Sequence, residues 1–353
     1  MKKNLILILS SIILSILIIE IFLRTVGLYS NLTNINLEPS SSIYEKPKNS
    51  SQKHKHPDLD YINTNYFDSD GVKNQTKITT SQKKNIIGFF GDSFIENYAV
   101  NPDFEFSNIL NLQLIDYNAV NYGVGGYNAE QVFLRYLKYK NHDLKYVFYL
   151  FMPQDQETLG LLTFNKIDQY IINTVKINPI LSIIGKFQIT YFFLDVGLKI
   201  RSIMFQDLSI IERSNYPHIL ANRAARKNLK HKQQDMKKFS QLIEAFKKEV
   251  EKNQGKFIVI LYPINSHVQY FEETLRFSKL KIDYFILDSK LSTDTKYQFK
   301  YDNHWNEYGN LEFQKNIKRY LNNFEKVNLV SNFDDFGITK KIEDFYNAYK
   351  RIR

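Results

Sequence analysis

Three short apolar runs, residues 86–90, 145–152 and 257–262, constrain this 353-residue chain more than anything else in it. None alternates polar with apolar residues, and each stops at a turn former: Gly91, Pro153 or Pro263. Such runs, bounded by Gly or Pro, read as strands buried on both faces. Stretches of helical spacing lie between them. Residues 104–114 and 129–139 are two, the second with Val132, Tyr136 and Tyr139 on one face. A long charged helix is expected over 223–253, with Phe239, Leu242, Ile243 and Phe246 turned inward. Shorter strands are expected at 117–122 and 284–287, and a last helix at 306–324. Strands alternating with helices imply a parallel sheet covered on both faces, an α/β domain.

The chain is 43% hydrophobic and 24% charged, the balance of a globular protein. Its net charge of +10 comes from lysines spread along the chain. With neither a clustered basic stripe nor a recognised motif, no nucleic-acid partner is expected. The absence of cysteine excludes disulfides, thiolate metal sites, a cysteine nucleophile and a lipidated cysteine.

Residues 5–23 are apolar apart from Ser10, Ser11, Ser15 and Glu20, and follow Lys2 and Lys3. A spanning helix needs about 20 such residues, so residues 1–27 read as a single-pass membrane anchor. The lysines place the N-terminus in the cytoplasm and the rest outside it. No small-x-small site follows the run, so the anchor is expected to stay uncleaved. Residues 28–84 are rich in Asn, Ser, Lys and Pro and read as a polar linker and lead-in, with His54 and His56 solvated. The catalytic domain is expected over 85–325. Within it, 158–216 is a divergent helical insertion, and 326–353 forms a tail.

Gly91-Asp92-Ser93 directly follows the first apolar run. α/β enzymes expose a serine nucleophile at such a strand-to-helix turn, although a lone Gly-x-Ser is equally a helix cap. A serine nucleophile needs a base and a group to orient that base. Tyr301-Asp302-Asn303-His304-Trp305-Asn306 offers both, because residues two apart on an extended segment face the same side. The same residues also suit a helix N-terminal turn capped by Asn306. His142, His218, His231 and His267 lie beside lysines, turns or helix ends and read as surface residues. Donors for an oxyanion are available from the backbone of Gly123-Val124-Gly125-Gly126 and from the Gln154 amide. The glycines lack the spacing of a dinucleotide fingerprint.

Taken together and in order, Gly91-Asp92-Ser93, residues 121–128 (NYGVGGYN), Gln154-Asp155 and Asp302-Asn303-His304-Trp305-Asn306 with Gly309 resemble the SGNH/GDSL hydrolase family. The resemblance covers roughly 86–324 apart from the divergent middle. It implies a three-layer α/β/α sandwich around a five-stranded parallel sheet of flavodoxin-like kind. It further implies Ser93 as nucleophile, His304 as base, Asp302 as its orienter, and an oxyanion hole from the Ser93 and Gly126 N–H groups with Gln154. The family normally presents asparagine where this chain has Gln154, which adds a methylene to the donor. Many members also separate the acid and histidine by two residues rather than one; were Asp302 turned away, Asp288 is the substitute. No metal or cofactor is needed by this mechanism. The expected activity is that of a serine esterase on O-acyl groups, O-acetyl in chemistry, of an acylated cell-surface carbohydrate. The alternatives are an O-acyltransferase, fed by a membrane-bound acyl donor protein, and a non-catalytic carbohydrate-binding scaffold.

Overall fold

The computed structural model describes residues 2–26, 45–46, 48–73, 85–152, 155, 162–166, 169–172, 236–275, 281–300, 302–330 and 335–349. These belong to two compact units. The first takes in Met1–Pro47 and Thr174–Asn228. Its described part is chiefly α1 (Lys2–Val26), a single helix in which Arg24 Nε donates to Glu20 at 2.7 Å. Among the described residues no helix is long and apolar enough to cross a membrane. The side chains of α1 are described without a break only over 10–25.

The second unit, Lys48–Asn173 with Leu229–Arg353, is the α/β domain. Its sheet joins β3 (Asn85–Phe90), β4 (Tyr117–Asn121), β5 (Leu144–Phe151), β8 (Lys256–Leu261) and β9 (Asp283–Ile286). The order is β4-β3-β5-β8-β9 and every pairing is parallel. Counting only these five, the order is 2-1-3-4-5, the doubly wound arrangement that the apolar runs imply. Alternate residues serve opposite faces. On one face, Ile87, Phe89, Phe148, Ile258 and Ile260 share a core with Phe106 and Leu110 of α3 (Phe106–Asn111) and Phe313 and Ile317 of α8 (Glu307–Tyr320). On the other, Phe90 meets Tyr136 of α4 (Ala129–Tyr139), and Tyr149 meets Phe246 of α5 (Met236–Lys252). Phe151 packs on Phe239 of α5 and on Phe271 of α6 (Asn265–Leu275). The result is three layers with the sheet in the middle.

Two stretches differ from their reading in the sequence. The supposed linker contains a strand pair, β1 (Ser50–Lys55) and β2 (Ile62–Phe67), whose inward face is polar. Asn65 Nδ2 donates to Tyr98 O at 2.7 Å, and Asn63 donates to Ala99 O. His56, expected in solvent, is fully buried. Its Nδ1 accepts the Asp58 and Leu59 N–H groups, so Nε2 carries the proton and faces Glu307 Oε1 at 3.3 Å. The other correction falls in the insertion read as helical, where β6 (Leu162–Lys166) and β7 (Gln169–Ile172) form an antiparallel pair. Most of the rest of 158–216 lies outside the described residues, as do 223–235 of the long helix. The tail, 326–353, which the sequence leaves without a reading, contains α9 (Asp335–Tyr349), which buries Ile338, Ile342 and Phe345, and Tyr346 Oη donates to Glu307 Oε2 at 2.8 Å.

Candidate active site

In doubly wound sheets the binding crevice lies beyond the carboxyl ends of the strands, where the strand order reverses. Here the reversal occurs at β3, which the chain leaves first toward β4 and later toward β5. Ser93 stands at that end of β3, as the first residue of α2 (Ser93–Glu96), a single turn capped by Asp92. Asp92 Oδ1 accepts the Phe94 N–H at 3.0 Å, and Asn97 closes the turn in the left-handed region at φ 49°. The turn is tight because Gly91 approaches Ile95: a Cβ on Gly91 would sit 2.7 Å from Ile95 Cγ1.

The second part of the site arrives from the far end of the chain. β11 (Asp302–Trp305) pairs with β10 (Gln298–Phe299) and leads straight into α8. Trp305 is fully buried, stacked on Phe313, and donates its indole N–H to Leu291 O at 3.3 Å. Asn306 caps α8 by accepting the Gly309 N–H at 3.0 Å. Gly309 is required there, since a Cβ would lie 2.3 Å from Tyr297 O. With Trp305 turned into the core, His304 and Asp302 face the opposite side, toward Ser93.

His304 Nε2 lies 2.6 Å from Ser93 Oγ, although 211 positions separate them in sequence. His304 Nδ1 bonds Asp302 Oδ1, and the same oxygen accepts the His304 backbone N–H at 3.2 Å. A carboxylate only accepts, so Nδ1 carries the proton and Nε2 presents its lone pair to the serine hydroxyl. Burial by itself raises the Asp302 carboxyl, but the hydrogen bonds and charge of His304, helped by the Tyr98 hydroxyl, hold it below the usual value. Burial lowers the His304 imidazole, yet its bond to Asp302 and the charges of Asp302, Asp92 and Glu96 leave it above the usual histidine value. Asp288, the substitute orienter, is engaged elsewhere: its carboxylate lies 3.5 Å from Lys290 Nζ and its N–H donates to Asn316.

The glycine loop after β4 lies directly on α2. Val124 N–H donates to Gly91 O at 3.1 Å, and Asn121 Nδ2 donates to Ile95 O at 2.5 Å. Gly126 follows in the left-handed region at φ 77°. Gln154 lies outside the described residues. Its neighbour Asp155 is fully buried, and burial together with the Asp92 charge pushes its carboxyl well above the usual value. Its Oδ2 accepts the Met152 N–H at 2.8 Å, closing the turn at the end of β5.

Four residues around the triad escaped the sequence reading. Tyr98 packs edge-on to His304 with ring centroids 6.3 Å apart. Glu96 is buried, with Oε2 accepting the Gly125 N–H at 2.5 Å. Lys73, also buried, donates from Nζ to Glu96 O at 2.9 Å and Asn97 O at 3.0 Å, at the C-terminal end of α2. A cation there is favourable, because the last carbonyls of a helical turn are otherwise unsatisfied. Phe94 lines the serine with its ring 4.7 Å from that of His304. Among the described residues no group of three or more potential metal ligands converges.

No protein-family model matches the sequence, and no curated protein matches it. Among solved structures the chain is similar to one from Desulfitobacterium hafniense DCB-2 described as a lipolytic protein of the G-D-S-L family. The identity is 12% and the TM-score 0.34, over 67% of this chain and 99% of that one. A member of the lipolytic protein G-D-S-L family from Veillonella parvula DSM 2008 is similar at 12% identity and TM-score 0.35, over 68% and 98% of the two chains. Superpositions this loose carry no argument about chemistry, which rests on the side chains of this chain alone.

Proposed function

We propose that the chain is a serine esterase working through an acyl-Ser93 intermediate. The observation that carries this is the Ser93–His304–Asp302 relay, with His304 Nε2 2.6 Å from the serine oxygen. In the reaction, His304 takes the Ser93 proton as the serine oxygen attacks the ester carbonyl. The resulting oxyanion faces the N–H groups of Ser93 and Gly126, and collapse expels the alcohol, protonated by the imidazolium. Water then repeats the sequence on the acyl-serine, with His304 again taking and returning a proton, and the carboxylic acid leaves. Asp302 holds the imidazole tautomer and offsets its transient positive charge.

The substrate belongs to the same proposal: an O-acyl group, with O-acetyl on a carbohydrate favoured by the Asp302-Asn303-His304-Trp305 motif and its resemblance to polysaccharide-modifying enzymes. So does an N-terminal anchor with the domain outside the cytoplasm, supported by the lysine-flanked apolar residues 5–23, most of whose described side chains are exposed. The test uses the whole chain with p-nitrophenyl acetate and an acetylated oligosaccharide. Acetate release is expected, and Ser93→Ala should abolish both turnover and labelling by a fluorophosphonate. Equal turnover by the alanine variant would refute the mechanism. Acetate appearing on a supplied sugar hydroxyl instead of in water would reassign the chain to acyl transfer.

A further inference from the structure

We propose that Glu96 is the positioning residue of the oxyanion loop: its buried carboxylate, bonded to the Gly125 N–H, sets the Gly126 N–H at a fixed offset from the Ser93 N–H. The proposal rests on the esterase reading above and adds to it a residue outside the triad and the expected oxyanion donors.

Glu96 ends the single turn that Ser93 begins, so the two residues move as one body. Its main chain is held at both ends, N–H on Asp92 O at 2.9 Å and O on Lys73 Nζ at 2.9 Å. From that base the side chain reaches Gly125 N–H at 2.5 Å, a short, charge-assisted bond one residue before the donor that matters. The start of the loop is tied separately, through Val124 N–H on Gly91 O and Asn121 Nδ2 on Ile95 O. Between these ties the loop touches the turn: a Cβ on Gly123 would lie 2.4 Å from Glu96 N. Burying a carboxylate is costly unless its partners are directional. An apolar side chain could fill the same volume; what the carboxylate adds is an acceptor that orients the Gly125 peptide plane. Two N–H groups serve as one oxyanion hole only while their separation is held, and a misplacement of about 1 Å can cost about 10²-fold in rate.

The test compares the whole chain with Glu96→Gln and Glu96→Ala, by p-nitrophenyl acetate kinetics and by amide hydrogen exchange. Glu96→Ala should lower kcat about 10²-fold with KM changed less than about threefold, whereas Glu96→Gln, which keeps an oxygen at the same reach, should lose less than about tenfold. In the alanine variant the Gly125 and Gly126 amides should exchange at least about tenfold faster, with β5 amides unchanged as proof of folding. If β5 loses protection as well, Glu96→Asp, which withdraws the carboxylate by one methylene, takes its place with the same expected split. Unchanged exchange at Gly125 and Gly126 overturns the proposal, as does a loss that appears in KM rather than kcat. A glutamine variant as slow as the alanine one, with its loop amides still protected, also overturns it, because the effect is then charge and not placement. A wild-type chain with no Ser93-dependent turnover refutes the esterase reading instead, and the exchange measurement still decides the role of Glu96.

Discussion

The His304 imidazole is subject to opposed influences, and their balance sets a measurable pH dependence. Partial burial disfavours its charged form, while the Asp302 bond and the Asp302, Asp92 and Glu96 charges favour it and win. Around it stand the Ser93 hydroxyl, the Tyr98 and Phe94 rings and these three carboxylates. A base must be neutral to accept the serine proton, so kcat/KM falls as pH drops through the His304 pKa. The acid limb is therefore expected to have its midpoint above the ordinary histidine value of about 6.5. Asp302→Asn should move that midpoint down and lower the plateau by about 10²–10⁴-fold; a pH series of ester hydrolysis on both proteins checks each part. A wild-type midpoint well below the ordinary value would contradict the electrostatics described. Asp302 and His304 were legible in the sequence because residues two apart on a strand must share a face. Tyr98 and Glu96 were not, since their partners lie elsewhere in the chain and neither spacing nor hydropathy marks them.

The hairpin β1–β2 and the tail helix α9 meet at Glu307, the first residue of α8 and the third after His304. One carboxylate there accepts from the Asn101 N–H at 2.9 Å, from the Tyr346 hydroxyl at 2.8 Å, and faces the protonated nitrogen of His56. Removing one donor from a buried carboxylate leaves charge unsatisfied, so Tyr346→Phe is expected to cost about 1.5–3 kcal/mol. The measurement is a urea midpoint that falls at unchanged slope. These elements were the hardest to anticipate, and for a physical reason. A strand that buries Asn63 and Asn65 against backbone carbonyls shows no apolar alternation, and alternation is the signal by which half-buried strands are read. The strands of the central sheet posed no such difficulty: β5 and β8 are apolar almost throughout because both their faces are covered.

The two helical layers depend on aromatic packing against the sheet. Phe313 is fully buried between Phe106 and Trp305, with ring centroids 4.8 Å from each, so it joins the sheet-side core to the residue that seats His304. Phe313→Ala should destabilise the domain by about 3–5 kcal/mol, and thermal unfolding would show the drop; a change under about 1 kcal/mol would mean the site collapses around the gap. Sheet order and layering were recoverable from the alternation of strands and helices, whereas the β6–β7 pair was hidden in a stretch whose apolar residues suit either conformation. The separation of Ser93 from His304 also bears on how the protein comes into being. The serine leaves the ribosome with β3, while its base belongs to a strand pair made more than two hundred residues later. Until that last pair docks, the hydroxyl has no proton acceptor and is chemically an ordinary alcohol. The hydrolytic activity proposed above is thus expected only once that pair has docked, and a nascent or half-folded molecule carries no armed nucleophile.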